Sequence, residues 1–80
     1  MGEFDYIELK IAPIYFKQQL LGLKNFEIRK NDRPFEVGKY LSLAEYENGE
    51  FTGRAVTRVI TCITDYAQRD GYVVLGTKAI

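Results

Sequence analysis

The chain predicts a small α+β domain that is mainly antiparallel β, with roughly five or six strands closing into a barrel and one principal helix packed over an opening. Three observations carry the strands and the helix, and the run from Ala55 to Thr64, apolar on both faces over part of its length, carries the closure. Apolar and polar residues alternate in recurring segments, beginning with Ile7, Leu9 and Ile11 against Tyr6, Glu8 and Lys10, which is the period of a strand with one buried face. An Asn48-Gly49 pair stands between two strand-like runs, and this pair favours type I′ hairpin turns. A single interval, Pro13 to Gly22, carries helix punctuation. Proline suits the first turn, where its missing N–H costs nothing, and glycine suits the position after the last turn.

Taken in order, residues 6–11 form the first predicted strand, and a helix of about nine residues spans Pro13 to Leu21. Phe16 and Leu20 share a face at spacing i, i+4, while Lys17, Gln18 and Gln19 face water at least in part, so the helix lies across the barrel. Lys24 falls just beyond its C-terminus, where the helix dipole favours a cation. Residues 25–29 alternate as a second strand, with Phe26 and Ile28 on the face assigned to the core and Asn25, Glu27 and Arg29 on the other. A turn-rich loop follows from Lys30 to Gly38, where Pro34 biases Arg33 toward an extended conformation and Phe35 and Val37 pin the loop to the core. A third strand from Lys39 to Tyr46 leads into the hairpin, and Phe51 opens the return. Thr52-Gly53-Arg54 marks a bulge or bend. From Ala55 to Thr64 the adjacent pairs Val59-Ile60 and Cys62-Ile63 make both faces apolar, the mark of a central strand in a closed sheet. A polar loop, Asp65 to Gly71, precedes the closing strand, Tyr72 to Lys78. Phe26, Ile28, Leu41, Leu43, Val59 and Leu75 are the expected core.

Eighty residues hold one domain and leave little room for a second core. With 46% hydrophobic residues and two prolines the composition is that of a globular protein, and six tyrosines and five phenylalanines supply the bulk a small barrel needs. Eleven basic and eleven acidic side chains cancel, which argues against coating nucleic acid through charge alone. The one local basic excess is Lys24, Arg29, Lys30 and Arg33 against Glu27 and Asp32. Cys62 has no partner for an intramolecular disulfide and reads as an inert buried thiol. Without histidine, Cys–His and Ser-His-Asp catalysis and the usual zinc sites are excluded, and no carboxylate spacing suggests a hard cation. Neither metal nor other cofactor is expected. No apolar run approaches the ~18 residues of a membrane span, and Met-Gly-Glu-Phe-Asp lacks the features of a signal peptide, so no membrane association and a cytoplasmic location are expected. Residues 1–4 read as a disordered start or cloning remnant, and residues 5–80 as a single domain.

The stretch Gly22 to Arg33 joins a helix stop, a strand and a polar turn. Glu27 and Arg29 stand side by side on the polar face of that strand, with Lys24 at its entrance. Taken alone, they form a solvated face whose Glu27–Arg29 pair contributes ~0.2–1 kcal/mol. On the same reading Lys30 and Arg33 are solvated loop residues, Arg54 is a bulge arginine and Tyr72 a half-buried strand tyrosine. Tyr46 and Tyr66 carry rings able to stack on a base, but at 14% aromatic residues core or hairpin packing is the first expectation for either of them.

Gly22, Lys24, Glu27 and Arg29 reproduce the G-x-K-x-x-E-x-R pattern of the activating-signal-cointegrator-homology (ASCH) domains, members of the PUA-like group of small RNA-associated β-barrels. The continuation Arg29-Lys30-Asn31-Asp32-Arg33, then Phe35-x-Val37-Gly38, Phe51-Thr52-Gly53-Arg54 and Gly71-Tyr72-Val73-Val74-Leu75, resembles a subgroup of short, stand-alone ASCH-like proteins of bacteria and phages. The resemblance runs from Ile7 to Lys78. It implies a PUA-like barrel in which Lys24, Glu27 and Arg29 line a cleft between helix and barrel, with Lys30 and Arg33 near a phosphate and Arg54 and Tyr72 as further site residues. The implied function is an RNA- or nucleotide-binding module. Glu27 would accept from an amino group on a base edge and Arg29 would bind phosphate or carbonyl oxygens. Oligomeric state is not set by the resemblance. An enzymatic alternative comes from ASCH proteins that hydrolyse the acetyl amide of N4-acetylcytidine with a motif Lys, a Thr three residues later and a distant Glu. Lys24 matches the first; Glu27 occupies the place of the Thr, so a hydrolase here would need Glu27 as general base with Lys24 polarising the carbonyl. A protein-interaction domain is the third reading.

Overall fold

The computed structural model describes residues 6–80, and the start or remnant expected at residues 1–4 lies outside them. In chain order the elements are β1 (Tyr6–Ile11), α1 (Pro13–Leu20), β2 (Phe26–Lys30), β3 (Tyr40–Glu47), β4 (Glu50–Thr64) and β5 (Tyr72–Ala79). They form one sheet in the order β1-β3-β4-β5-β2. Every pairing is antiparallel except β1 with β3, which are separated in sequence by α1 and β2 and so have the long crossover that parallel neighbours require.

β4 gives the sheet its curl. Residues Glu50 to Val59 pair with β3, and Arg58 to Thr64 pair with β5, so one long strand serves two directions of the sheet. Between the ladder pairs Tyr46↔Phe51 and Ala44↔Ala55, Thr52, Gly53 and Arg54 stand opposite Glu45 alone, the bulge expected there. Gly53 takes the left-handed φ of +96° that this excursion requires. A second register shift, between Ile60 and Cys62, faces Gly76. A Cβ on Gly76 would lie 2.4 Å from Cys62 Sγ, so only glycine leaves the sulfur its place. The Asn48-Gly49 turn has positive φ at both residues, 54° and 84°, as a type I′ hairpin demands.

The expected closed barrel is not formed. The sheet is a curled half-barrel with β1 and β2 as its edges, and β4 is central in an open sheet. Side chains bridge the seam instead: Arg29 Nη2 donates to the Lys10 carbonyl at 2.8 Å and Arg33 Nη1 to the Glu8 carbonyl at 3.2 Å. These guanidinium groups supply donors that a neighbouring strand would otherwise provide to the edge of β1.

Ile7, Leu9, Ile11, Leu41, Leu43, Val56, Ile60, Val73 and Leu75 form the core with Phe16 from the helix. α1 begins with Pro13 in its first turn and ends in a Schellman closure, in which Gly22 N–H donates to the Gln19 carbonyl and Leu23 N–H to that of Gln18. Its inward face is Phe16 and Gln19, not Phe16 and Leu20: Gln19 is 1% exposed, whereas Leu20 is exposed. Leu41, Leu43 and Leu75 are buried as expected and Val59 is half-buried. Phe26 and Ile28 are not core residues, being 41% and 51% exposed. The register explains the reversal. Glu27 lies opposite Leu75 and Arg29 opposite Val73, and since cross-strand partners share a face, the polar side of β2 is the side that turns inward. Phe35 packs against the core as expected, but Val37 is exposed. Cys62, expected to be buried, is exposed because the shifted register opposite Gly76 turns it outward.

Candidate functional site

The inward polar face of β2 builds the site. Glu27 is 3% exposed, a burial that a carboxylate tolerates only with dense hydrogen bonding. Its Oε2 accepts from Gln19 Nε2 at 2.9 Å and from Lys24 Nζ at 2.5 Å. Its Oε1 accepts from Arg29 Nη2 at 2.9 Å and from Arg29 Nε at 3.2 Å. Four donors on two oxygens match the acceptor capacity of a carboxylate, so Glu27 is occupied in organising its neighbours.

Each partner is delivered by a different piece of backbone. Gln19 comes from the inward face of α1. Its amide donates to Glu27 and to the Phe26 carbonyl, and its Oε1 accepts from Arg58 Nε of β4 at 3.2 Å. Arg58 Nη2 also donates to the Gln19 carbonyl at 2.8 Å, a cation set against the C-terminal end of the helix. Lys24 follows the Schellman turn and donates to the Phe26 carbonyl at 2.9 Å. Its Nζ lies 5.4 Å from the centre of the Tyr15 ring and 4.9 Å from that of Phe26, within cation–π range of both.

Above this cluster opens a cleft of about 520 Å³ between α1, the end of β1 and the open edge of β2. Tyr15, Phe26 and Ile28 supply apolar surface, and Lys10, Lys24 and Arg29 supply positive charge, with Glu27 at the floor. Its size falls within the ~300–1,000 Å³ of small-ligand sites. Tyr15 and Phe26 remain about half exposed, so ring surface not covered by Lys24 is open to a planar ligand.

Lys24, Glu27 and Arg29 are thus brought together. Lys30 and Arg33 line a second cavity, adjoining the first along the seam and sharing Lys10 and Arg29 with it. Arg54 and Tyr72 line neither cavity. Arg54 pairs with Glu45, Nε to Oε1 and Nη2 to Oε2 both at 2.9 Å, and lies 4.8 Å from the Phe16 ring centre. Together with the Thr52 hydroxyl, which donates to Oε1 at 2.7 Å, Arg54 holds the Glu45 carboxyl below its ordinary 4.5. Tyr72 packs under Arg69 beside a small cavity at the far end of β2. Tyr46 stacks edge-on with Phe51, whereas Tyr66 is exposed.

Sequence reasoning missed Tyr15, Gln19, Lys10 and Arg58. Tyr15 and Lys10 look like any solvated residue of their elements. A buried glutamine on the inner face of a short helix has no local signature, because its partners lie on β2 and β4. Among the described residues no three carboxylate or thiol groups gather as a metal site, and no helix is long and apolar enough to cross a membrane.

Fold and site together define a small α+β domain, a half-barrel carrying a basic, aromatic-walled cleft beside its helix. The chain belongs to the family described as a domain of unknown function, DUF3850, whose model matches residues 6–77. A relative named as an uncharacterized 12.9 kDa protein in the GpA 3′ region of Escherichia phage P2 is 44% identical over 69 residues. That match covers 85% of this chain and 63% of the relative, so the chain spans less than two thirds of the phage protein's length.

Proposed function

We propose that the protein is an RNA- or nucleotide-binding module that takes its ligand in the cleft between α1 and the half-barrel, by recognition without bond breaking. The observation that carries this reading is the pairing of two half-exposed rings, Tyr15 and Phe26, with the fixed cations Lys24 and Arg29 in one cleft. A base has a face to stack on and its sugar-phosphate has cations nearby. Lys24 and Arg29 are held by Glu27 before any ligand arrives, which reduces the ordering cost of binding. The neutral overall charge keeps non-specific affinity for nucleic acid low. The G-x-K-x-x-E-x-R spacing supports the finer reading, membership of the ASCH and PUA-like group, with one modification: Glu27 acts as the positioning group while Lys24 and Arg29 meet the ligand.

That engagement also argues against the hydrolase reading, since a general base needs a lone pair free for water and those of Glu27 already receive four donors. A thermal-shift screen of nucleosides, nucleotides and short single-stranded RNAs tests the proposal. A ligand of the native state raises the melting temperature in a concentration-dependent way, and Tyr15→Ala should reduce the rise at a given ligand concentration. A screen in which none of these compounds stabilises the protein would refute the proposal.

A further inference from the structure

We infer that the site is built for a single-stranded dinucleotide step, two bases flanking one phosphodiester, rather than for an isolated nucleotide; this rests on the nucleic-acid reading of the first cleft. The second cavity, of about 360 Å³, continues along the open seam between β1 and β2. Lys10 and Arg29 line both cavities. The bond from Arg29 Nη2 to the Lys10 carbonyl crosses the seam at their junction.

The two cavities repeat one composition. The first has Tyr15 and Phe26, and the second has Phe51, 48% exposed, with half-buried Phe35. Lys10 Nζ lies 4.4 Å from the centre of the Tyr46 ring and 5.9 Å from that of Phe51, so its charge is held beside the second platform. At the junction Arg29 uses Nε and Nη2 on Glu27 and the Lys10 carbonyl, and Nη1 makes no hydrogen bond among the described residues. Planar guanidinium groups match the geometry of phosphate oxygens. Lys30 and Arg33 add positive charge on the far side, against Glu8 and Asp32. Ring, cation, ring along one seam is the order of base, phosphodiester, base. A mononucleotide would occupy the first cleft and leave the second platform unused.

The test is a calorimetric titration of wild type, Phe51→Ala and Tyr15→Ala with UMP, the dinucleotide UpU, its deoxy counterpart and the trinucleotide UpUpU. One further stacked base is worth ~1–3 kcal/mol, so UpU should bind wild type roughly tenfold or more tighter than UMP, with little further gain for UpUpU. Phe51→Ala should erase most of the UpU advantage and leave UMP binding unchanged, which also shows that this variant is folded. Tyr15→Ala should weaken UMP and UpU alike. The deoxy arm separates DNA from RNA as the source of the step, and preferential binding of either dinucleotide supports the inference. Equal affinity for UMP and UpU, or a Phe51→Ala variant that keeps the full UpU advantage, overturns the dinucleotide inference and leaves the single-cleft proposal standing. Binding of none of these ligands overturns both.

Discussion

Replacing Glu27 with glutamine exchanges one acceptor oxygen for an NH₂ group at the most heavily bonded position of the site. Whichever way the new amide is turned, its NH₂ points at donors: at Gln19 and Lys24 on one side or at Arg29 on the other. Removing one partner of a fully buried ion pair costs ~3–5 kcal/mol because the other charge is left uncompensated. Here the side chains of Lys24 and Arg29 keep 13% and 24% exposure and can turn toward water, so the expected loss is about 2–4 kcal/mol. Total stability for 80 residues is about 4–12 kcal/mol, and the loss should lower the melting temperature by roughly 10–25 °C. Thermal and urea unfolding followed by circular dichroism at neutral pH measure it. Lys30→Gln is the control, since it makes a charge change of the same size at an exposed residue with no ion pair among the described ones, and should stay within ~0.5 kcal/mol of wild type. Combining Glu27→Gln with Arg29→Ala should cost less than the sum of the two. A Glu27→Gln protein that melts within about 2 °C of wild type would refute the reasoning, because Glu27 would then be a solvated strand residue.

Phe26→Ala should cost about 1 kcal/mol of stability rather than the ~3–5 of a core phenylalanine, yet weaken nucleotide binding by ~1–3 kcal/mol; a core-sized stability loss with unchanged binding would return Phe26 to a structural role. The Glu45 carboxyl, held low by Arg54 and Thr52, contributes stability that is present above its ordinary 4.5 and lost as pH falls through its lowered folded value. Melting curves between about pH 2 and 6 should therefore fall more steeply with acid for wild type than for Glu45→Gln, and coincident slopes would show that the pairing adds nothing. Gly76→Ala should destabilise by about 1–3 kcal/mol through overlap with Cys62 Sγ, and adding Cys62→Ala should recover part of it; full stability of the single variant would show that the sulfur moves freely.

Local chemistry made several elements legible. Pro13 and Gly22 bracket a helix because one lacks an N–H only where none is needed and the other accepts a left-handed φ. The Asn48-Gly49 turn, the bulge at Thr52-Gly53-Arg54 and the alternation of β1 are equally local and stand within a residue or two of where the sequence puts them. Glu27 and Arg29 could be grouped on one strand face by period alone, and Lys24 placed at its entrance by the helix stop at Gly22.

What the chain by itself determined is therefore the set of elements, their turns and the alternation along β1 and β2. Which face of β2 turns inward was decided by the tertiary structure. Hydrophobicity assigns Phe26 and Ile28 to the core, but pairing with β5 sets Glu27 beside Leu75, and Gln19, Lys24 and Arg29 then satisfy the carboxylate that this register buries. Closure was likewise a long-range matter. Whether β1 and β2 zip together or leave a seam depends on the bulges of β4 and on guanidinium groups that reach across from Arg29 and Arg33 to carbonyls 19 and 25 residues away in sequence. The physical reason is that alternation is a property of one strand, whereas burial belongs to the pair of surfaces that meet, and the surfaces flanking the cleft come from α1, β1 and β2 only once the half-barrel has curled.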